Sequence, residues 1–247
     1  MAMSGVDEKV EELFTAGVQC LLADRVEQAV AVFVEVRALC SARGRVEQVA
    51  VCDLNLGACA YRQGRFEQAQ ACSRRALEVL VDAGEEYVTE LGWSLHNLGR
   101  AAMGLGDAEQ ARGWFERELP IVERCGQPRR VAECVAALAE ASAQSDRIEA
   151  ARSQYLRALR LFTELDLPAS ASECVFGLGT LALRQDCFDE ARDCYQRAQA
   201  VFAWLGRDRR VADCFSALAM VADAEGHRDR AAQLARQAVQ IYRSLDS

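Results

Sequence analysis

Two histidines, His96 and His227, and 11 cysteines are the side chains of this sequence suited to nucleophilic or metal chemistry. A Cys–His nucleophile needs an imidazole beside a thiol of depressed pKa. His227 directly follows Gly226 and reads as an exposed turn residue, and His96 has no thiol near it in a strong nucleophile context. No CxxC pair occurs, and Cys52/Cys59 and Cys187/Cys194 are seven residues apart, two helical turns, so a metal there would need ligands from elsewhere. A glycine-rich phosphate loop, an HExxH pair and a DxD-like cluster are all missing. The sequence therefore offers no catalytic residue, no metal site and no cofactor site, and reads as that of a non-enzyme.

The cysteines have a different logic. Cys52, Cys134, Cys174 and Cys214 each stand five residues before a glycine or alanine that recurs along the chain. Cysteine in such a register acts as a small apolar side chain in a helix contact, so the thiols are expected to be reduced and mainly buried. The net charge of −8 disfavours nonspecific attraction to nucleic acid or anionic membrane. No window approaches the roughly 20 apolar residues of a membrane span, and the opening MAMSGVDEKVEELF lacks the pattern of a secretory signal. These features predict a cytoplasmic location.

The organising signal is a repeat. Gly17, Gly57, Gly99, Ala139, Gly179 and Ala219 recur at steps of 40, 42, 40, 40 and 40 residues. Seven residues after each comes Asp24, Gly64, Gly106, Asp146, Asp186 or Gly226, suited to a tight helix-to-helix turn, and twelve after each comes an alanine, from Ala29 to Ala231. Each unit reads as helix A, a short turn and helix B, stacked on its neighbours. Small residues let the paired helices approach closely, and bulky residues at Phe33, Phe115, Tyr155 and Tyr195, each four after a helix B alanine, fill the gaps between repeats. The connectors are short and polar, and Arg129, Arg130, Arg209 and Arg210 within them read as solvated.

The strings NLGACAY…FEQAQACSRRA, HNLGRAA…AEQARGWFERE and GLGTLAL…FDEARDCYQRA resemble the tetratricopeptide repeat (TPR) family over about residues 10–247. The period of about 40 is similar to that of LGN-type polarity adaptors, rapsyn and kinesin light chain. The resemblance implies an all-α, right-handed TPR superhelix, an α-solenoid of six helix-turn-helix repeats at about 10–49, 50–91, 92–131, 132–171, 172–211 and 212–247, forming a single domain over 1–247. The family's proline after helix B is mostly missing, and alanine replaces the marker glycine in units four and six.

In that family, helix A lines the concave surface and bound peptides touch it around the marker residue. Carried over to units two and three, the resemblance implies peptide contact by Asn55, Tyr61, Arg62, Trp93, His96, Asn97 and Arg100. A side-chain amide can bond both the N–H and the C=O of a peptide backbone, and arginine adds carboxylate recognition. The groove is expected to be basic and aromatic in this half and more acidic beyond it, where Glu133, Glu140 and Glu173 occupy comparable positions. Phe14 and Val18 in the first unit disfavour the carboxylate clamp of chaperone-tail-binding relatives.

The function these features imply is that of an intracellular protein–protein interaction scaffold or adaptor holding a peptide segment of a partner, one with an acidic stretch. Two alternatives stand beside it: a peptide-sensing regulatory solenoid, and a homo-oligomer built through an uncapped C-terminal repeat. The last expects Val221, Leu234, Val239, Ile241 and Tyr242 to be partly uncovered. Neither nucleic acid nor membrane insertion is expected.

Overall fold

The computed structural model describes residues 5–245, which form twelve α-helices and no strand. They group into two compact units, Met1–Gln127 and Pro128–Ser247. The first holds α1 (Gly5–Leu22), α2 (Val26–Ser41), α3 (Val46–Arg62), α4 (Phe66–Leu80), α5 (Val88–Gly104) and α6 (Ala108–Arg124), with a single 3₁₀ turn at Glu85–Tyr87. The second holds α7 (Pro128–Gln144), α8 (Ile148–Glu164), α9 (Pro168–Arg184), α10 (Phe188–Trp204), α11 (Asp208–Ala224) and α12 (Arg228–Leu245). Within each unit every helix packs on the next, and α3 also touches α5, as α9 touches α7 and α11.

The expected turn residues end the first helix of each pair. Asp24, Gly64, Gly106, Asp146, Asp186 and Gly226 all adopt left-handed backbone, with φ from 56° to 81°. The N–H of the following residue reaches back to the helix, as from Arg25 to the Cys20 carbonyl (2.9 Å) and from Arg65 to that of Ala60 (2.9 Å), which satisfies carbonyls the helix end leaves over. The connections between pairs take positive φ at Gly44, Gly126, Asp166 and Gly206 as well, and at Gly84 a different, extended conformation (φ 91°, ψ −179°) that glycine permits. These turns fall every 20 residues except from Gly84 to Gly106, where the extra turn at Glu85–Tyr87 is inserted and produces the 42-residue step.

Aspartate tolerates left-handed backbone less readily than glycine, and two of these aspartates have compensating partners. Arg62 donates to Asp24 Oδ1 (3.2 Å) and to the Leu21 carbonyl (2.5 Å). Forty residues per repeat allow the same contact in the second unit, where Arg184 donates to Asp146 Oδ1 (2.6 Å) and to the Ala143 carbonyl.

The marker glycines are small because a neighbouring side chain lies against them: a ring at Gly17, Gly99 and Gly179, and Ser73 Oγ at Gly57. A Cβ on Gly99 would stand 2.4 Å from the Phe115 ring, and one on Gly17 2.9 Å from Phe33. Ala139 carries a Cβ, and the equivalent ring, Tyr155, instead lies across Gly177 of the next pair, 2.5 Å from where a Cβ would be. Eight of the 11 cysteines are buried and all are free thiols; burial pushes Cys52, Cys174 and Cys214 up to about 12.

Two expectations need correction. Arg130 and Arg210 are not solvated: Arg130 is 8% exposed, and Arg210 lies over the rings of Phe176 (4.7 Å) and Phe202 (5.1 Å) while bonding Glu173 (2.7 Å) and Asp213. The aromatic faces and paired carboxylates make burial of the guanidinium favourable. Of the residues expected to be uncovered at the last repeat, Val221 is 1% exposed, because α12 lies across α11. Leu234, Ile241 and Tyr242 are half-buried and Val239 is exposed.

Candidate peptide-binding surface

Helical periodicity places Val51, Asn55, Ala58 and Arg62 on one stripe of α3, and Glu90, Trp93, Asn97 and Arg100 on one stripe of α5. Because α3 and α5 touch, the stripes lie side by side in the first unit.

The seven expected residues divide by what already holds them. Arg100 donates from Nε (3.1 Å) and Nη2 (2.9 Å) to the Tyr61 hydroxyl, and its guanidinium lies 4.8 Å from the centre of that ring. Tyr61 in turn packs against Phe66, centroids 5.5 Å apart, so the arginine is held on a fixed aromatic platform. Arg100 makes no ion pair among the described residues, and its Nη1 donates no hydrogen bond there. Arg62, by contrast, is committed to Leu21 and Asp24.

Asn55 uses one amide hydrogen on the Val51 carbonyl (2.8 Å), and Asn97 reaches the Leu54 carbonyl at 3.4 Å. Neither amide oxygen accepts a bond among the described residues. These are the donor and acceptor faces that a peptide backbone matches.

His96 is held from below: its Nδ1 lies 2.9 Å from Oε2 of Glu118, whose side chain is fully buried. Phe115 flanks the imidazole at 5.6 Å and Trp93 stands edge-on to it at 5.8 Å. Trp93 keeps 38% of its surface exposed. The structure thus pairs Tyr61 with Arg100 and Trp93 with His96, brings Asn97 towards α3, and turns Arg62 to the preceding helix pair.

Sequence reasoning missed Glu118 and Asp53. Asp53, 3% exposed, receives Arg75 at 3.0 Å and 3.3 Å and lies 3.0 Å from Nε of Arg37. Both acids sit on apolar stripes, Glu118 with Ala111, Phe115 and Val122, and Asp53 with Ala50, Gly57 and Ala60. A charge interrupting such a stripe was the available signal. Among the described residues no group of three or more His, Cys, Asp and Glu side chains could hold a metal ion. No described helix is long and apolar enough to cross a membrane.

Helix pairs of this construction, with a small residue under a ring and a left-handed turn every 20 residues, define a helical-repeat protein. The tetratricopeptide repeat model matches residues 48–124, 90–164 and 171–244, and the chain belongs to that family. No curated protein matches the sequence. Among solved structures, the apo form of RapI is similar over 96% of this chain and 99% of its own, at 12% identity and a TM-score of 0.75. BtubC from P. vanneervenii is similar over 99% and 94%, at 20% identity and a TM-score of 0.67. A Rap protein complexed with Competence and Sporulation Factor is similar over 99% and 77%, at 14% identity and a TM-score of 0.70. At these identities the likeness is one of fold, a TPR solenoid, and such solenoids typically mediate protein–protein interaction.

Proposed function

We propose that this protein is an interaction scaffold that holds a peptide segment of a partner against the α3–α5 surface. The observation that carries this reading is the set of unused groups along that surface: the amide oxygens of Asn55 and Asn97, and the outer donors of an Arg100 fixed on Tyr61. Amides that the fold does not consume suit backbone recognition, and an arginine without a carboxylate partner suits an acidic side chain or a free carboxylate. Trp93 and His96 add a rigid apolar contact beside them. The surface works by binding, in a cytoplasmic setting, and involves no catalytic step.

Peptide sensing is a second reading, favoured by the likeness to a Rap protein complexed with Competence and Sporulation Factor. It keeps the same surface and adds a response to its occupation. Self-association through the last pair has the exposed Val239 and Leu245 in its favour.

The test is selection of short peptides from a displayed library against the intact chain. Enriched sequences should carry Asp, Glu or a free carboxylate and should lose binding to an Asn55→Ala, Asn97→Ala, Arg100→Ala variant. Peptides that bind this folded variant as well as the parent would place recognition elsewhere.

A further inference from the structure

Glu90 begins the α5 stripe that continues through Trp93 and Asn97 to Arg100. Its carboxylate makes no hydrogen bond or ion pair among the described residues, and Oε2 is closed off from solvent without a partner. The same register in other helix pairs explains why. Counted from the marker residues, Glu90 corresponds to Arg210 of α11, which lies over Phe176 and bonds Glu173 on the preceding first helix. The residues that correspond to Glu173 and Phe176 are Val51 and Leu54 on α3, and neither side chain can donate a hydrogen bond.

An anion half-withdrawn from water with no compensating donor is a liability to the fold. At this site it is also a preformed half of an ion pair. Desolvation by burial, and after it the carboxylates of Glu86, Glu47 and Glu90, hold the nearby Tyr87 hydroxyl above its ordinary pKa. Trp93 stands one helical turn along from Glu90 on the same stripe and keeps part of its surface exposed.

We infer that Glu90 is a cation-recognition subsite, taking a guanidinium or ammonium group of the bound peptide. This rests on reading the α3–α5 surface as a peptide site. Ten residues of helix separate Glu90 from Arg100, about 15 Å along the axis, so the ligand carries its positive group that far from the acidic group at Arg100. The dipolar stripe fixes the direction in which a peptide lies.

Nuclear magnetic resonance of the intact, indole-labelled chain tests this, with the Trp93 signal assigned by Trp93→Phe. Three probes are titrated: Nα-acetyl-arginine amide for a side-chain cation, alanyl-alanine amide for a free amino terminus, and Nα-acetyl-norleucine amide as the uncharged control. At least one cationic probe should shift the Trp93 signal saturably, and which one does so names the source of the charge. Glu90→Gln should weaken that response about fivefold or more while leaving the melting temperature equal or higher, and Glu90→Asp should restore most of it. A Trp93 response that norleucine amide reproduces, or that Glu90→Gln leaves unchanged, overturns the inference. An Asn97→Ala, Arg100→Ala variant should keep the cation response, so failure of the acidic-group contacts at Arg100 and failure of the cation subsite at Glu90 are read separately.

Discussion

Replacing Gly99 with alanine separates packing from helix propensity. The new Cβ would lie 2.4, 2.6 and 2.8 Å from three carbons of the Phe115 ring, which is fully buried. Real Cβ contacts do not come closer than about 3 Å, so the ring or the helix must move by several tenths of an ångström. Overpacking of this kind costs about 1–3 kcal/mol, against about 1 kcal/mol gained from alanine's better helix propensity. The expected net loss is therefore about 0–2 kcal/mol. Gly113, inside α6 with open space where its Cβ would be, is the control: Gly113→Ala keeps the propensity gain and should stabilise by about 0.5–1 kcal/mol. For a chain of this size 1 kcal/mol corresponds to about 2–4 °C in melting temperature. Circular dichroism at 222 nm during thermal and urea unfolding reads both variants. Because Phe115 flanks His96, Gly99→Ala should also disturb the tryptophan environment beside the imidazole. The reasoning fails if Gly99→Ala is more stable than the parent, or if Gly113→Ala is the less stable of the two.

Other consequences follow from the same contacts. Thiol titration of the native protein should register Cys187 and the half-buried Cys20 and Cys125, with the other eight reacting only in denaturant; reaction of most thiols at once would refute their burial. The buried thiols also make the fold alkali-sensitive. Their pKa values rise from 9.0 to about 12 for Cys52, Cys174 and Cys214, so stability is fully present below about pH 9 and is lost as pH climbs towards 12; urea midpoints that stay flat from pH 8 to 10.5 would contradict this. Arg62→Ala should cost about 0.5–1 kcal/mol, small because the Asp24 pair is well exposed, and should leave peptide binding within about twofold, the opposite outcome to Arg100→Ala. Asp186→Gly should be neutral or stabilising and Asp186→Val destabilising by about 1–2 kcal/mol, since φ is 56° there; equal melting temperatures for the two would refute the strain argument.

Much of the fold is visible in the residues because its rules are local. A left-handed turn favours glycine or aspartate, so spacing alone places Gly64 at a turn, whereas the ring of Phe115 against Gly99 is a contact of the folded structure. The 42-residue step shows in the sequence, but its cause, the turn at Glu85–Tyr87, does not, because nothing in that segment's composition demands a 3₁₀ conformation. The site was less legible for a physical reason. Arginine reaches far, and which carbonyl or ring captures it depends on the neighbouring helix pair. Arg62 and Arg100 look alike in sequence, yet one is drawn to the end of α1 and the other lies on Tyr61 with donors to spare. Arg210 was misjudged as solvated for the same reason, since its aromatic partners and Glu173 come from other helices.

The central claim is that peptide recognition resides in the α3–α5 surface. Calorimetric titration of a library-selected acidic peptide into the parent chain and into an Asn97→Ala, Arg100→Ala variant, at low and high salt, tests it most directly. Losing a backbone-directed amide or a carboxylate-directed arginine costs about 1–3 kcal/mol each, so the double variant should bind at least about tenfold more weakly with its helical signal intact. Salt should weaken the parent's binding more than the variant's. Equal affinity for parent and folded variant, at either salt concentration, would contradict the account.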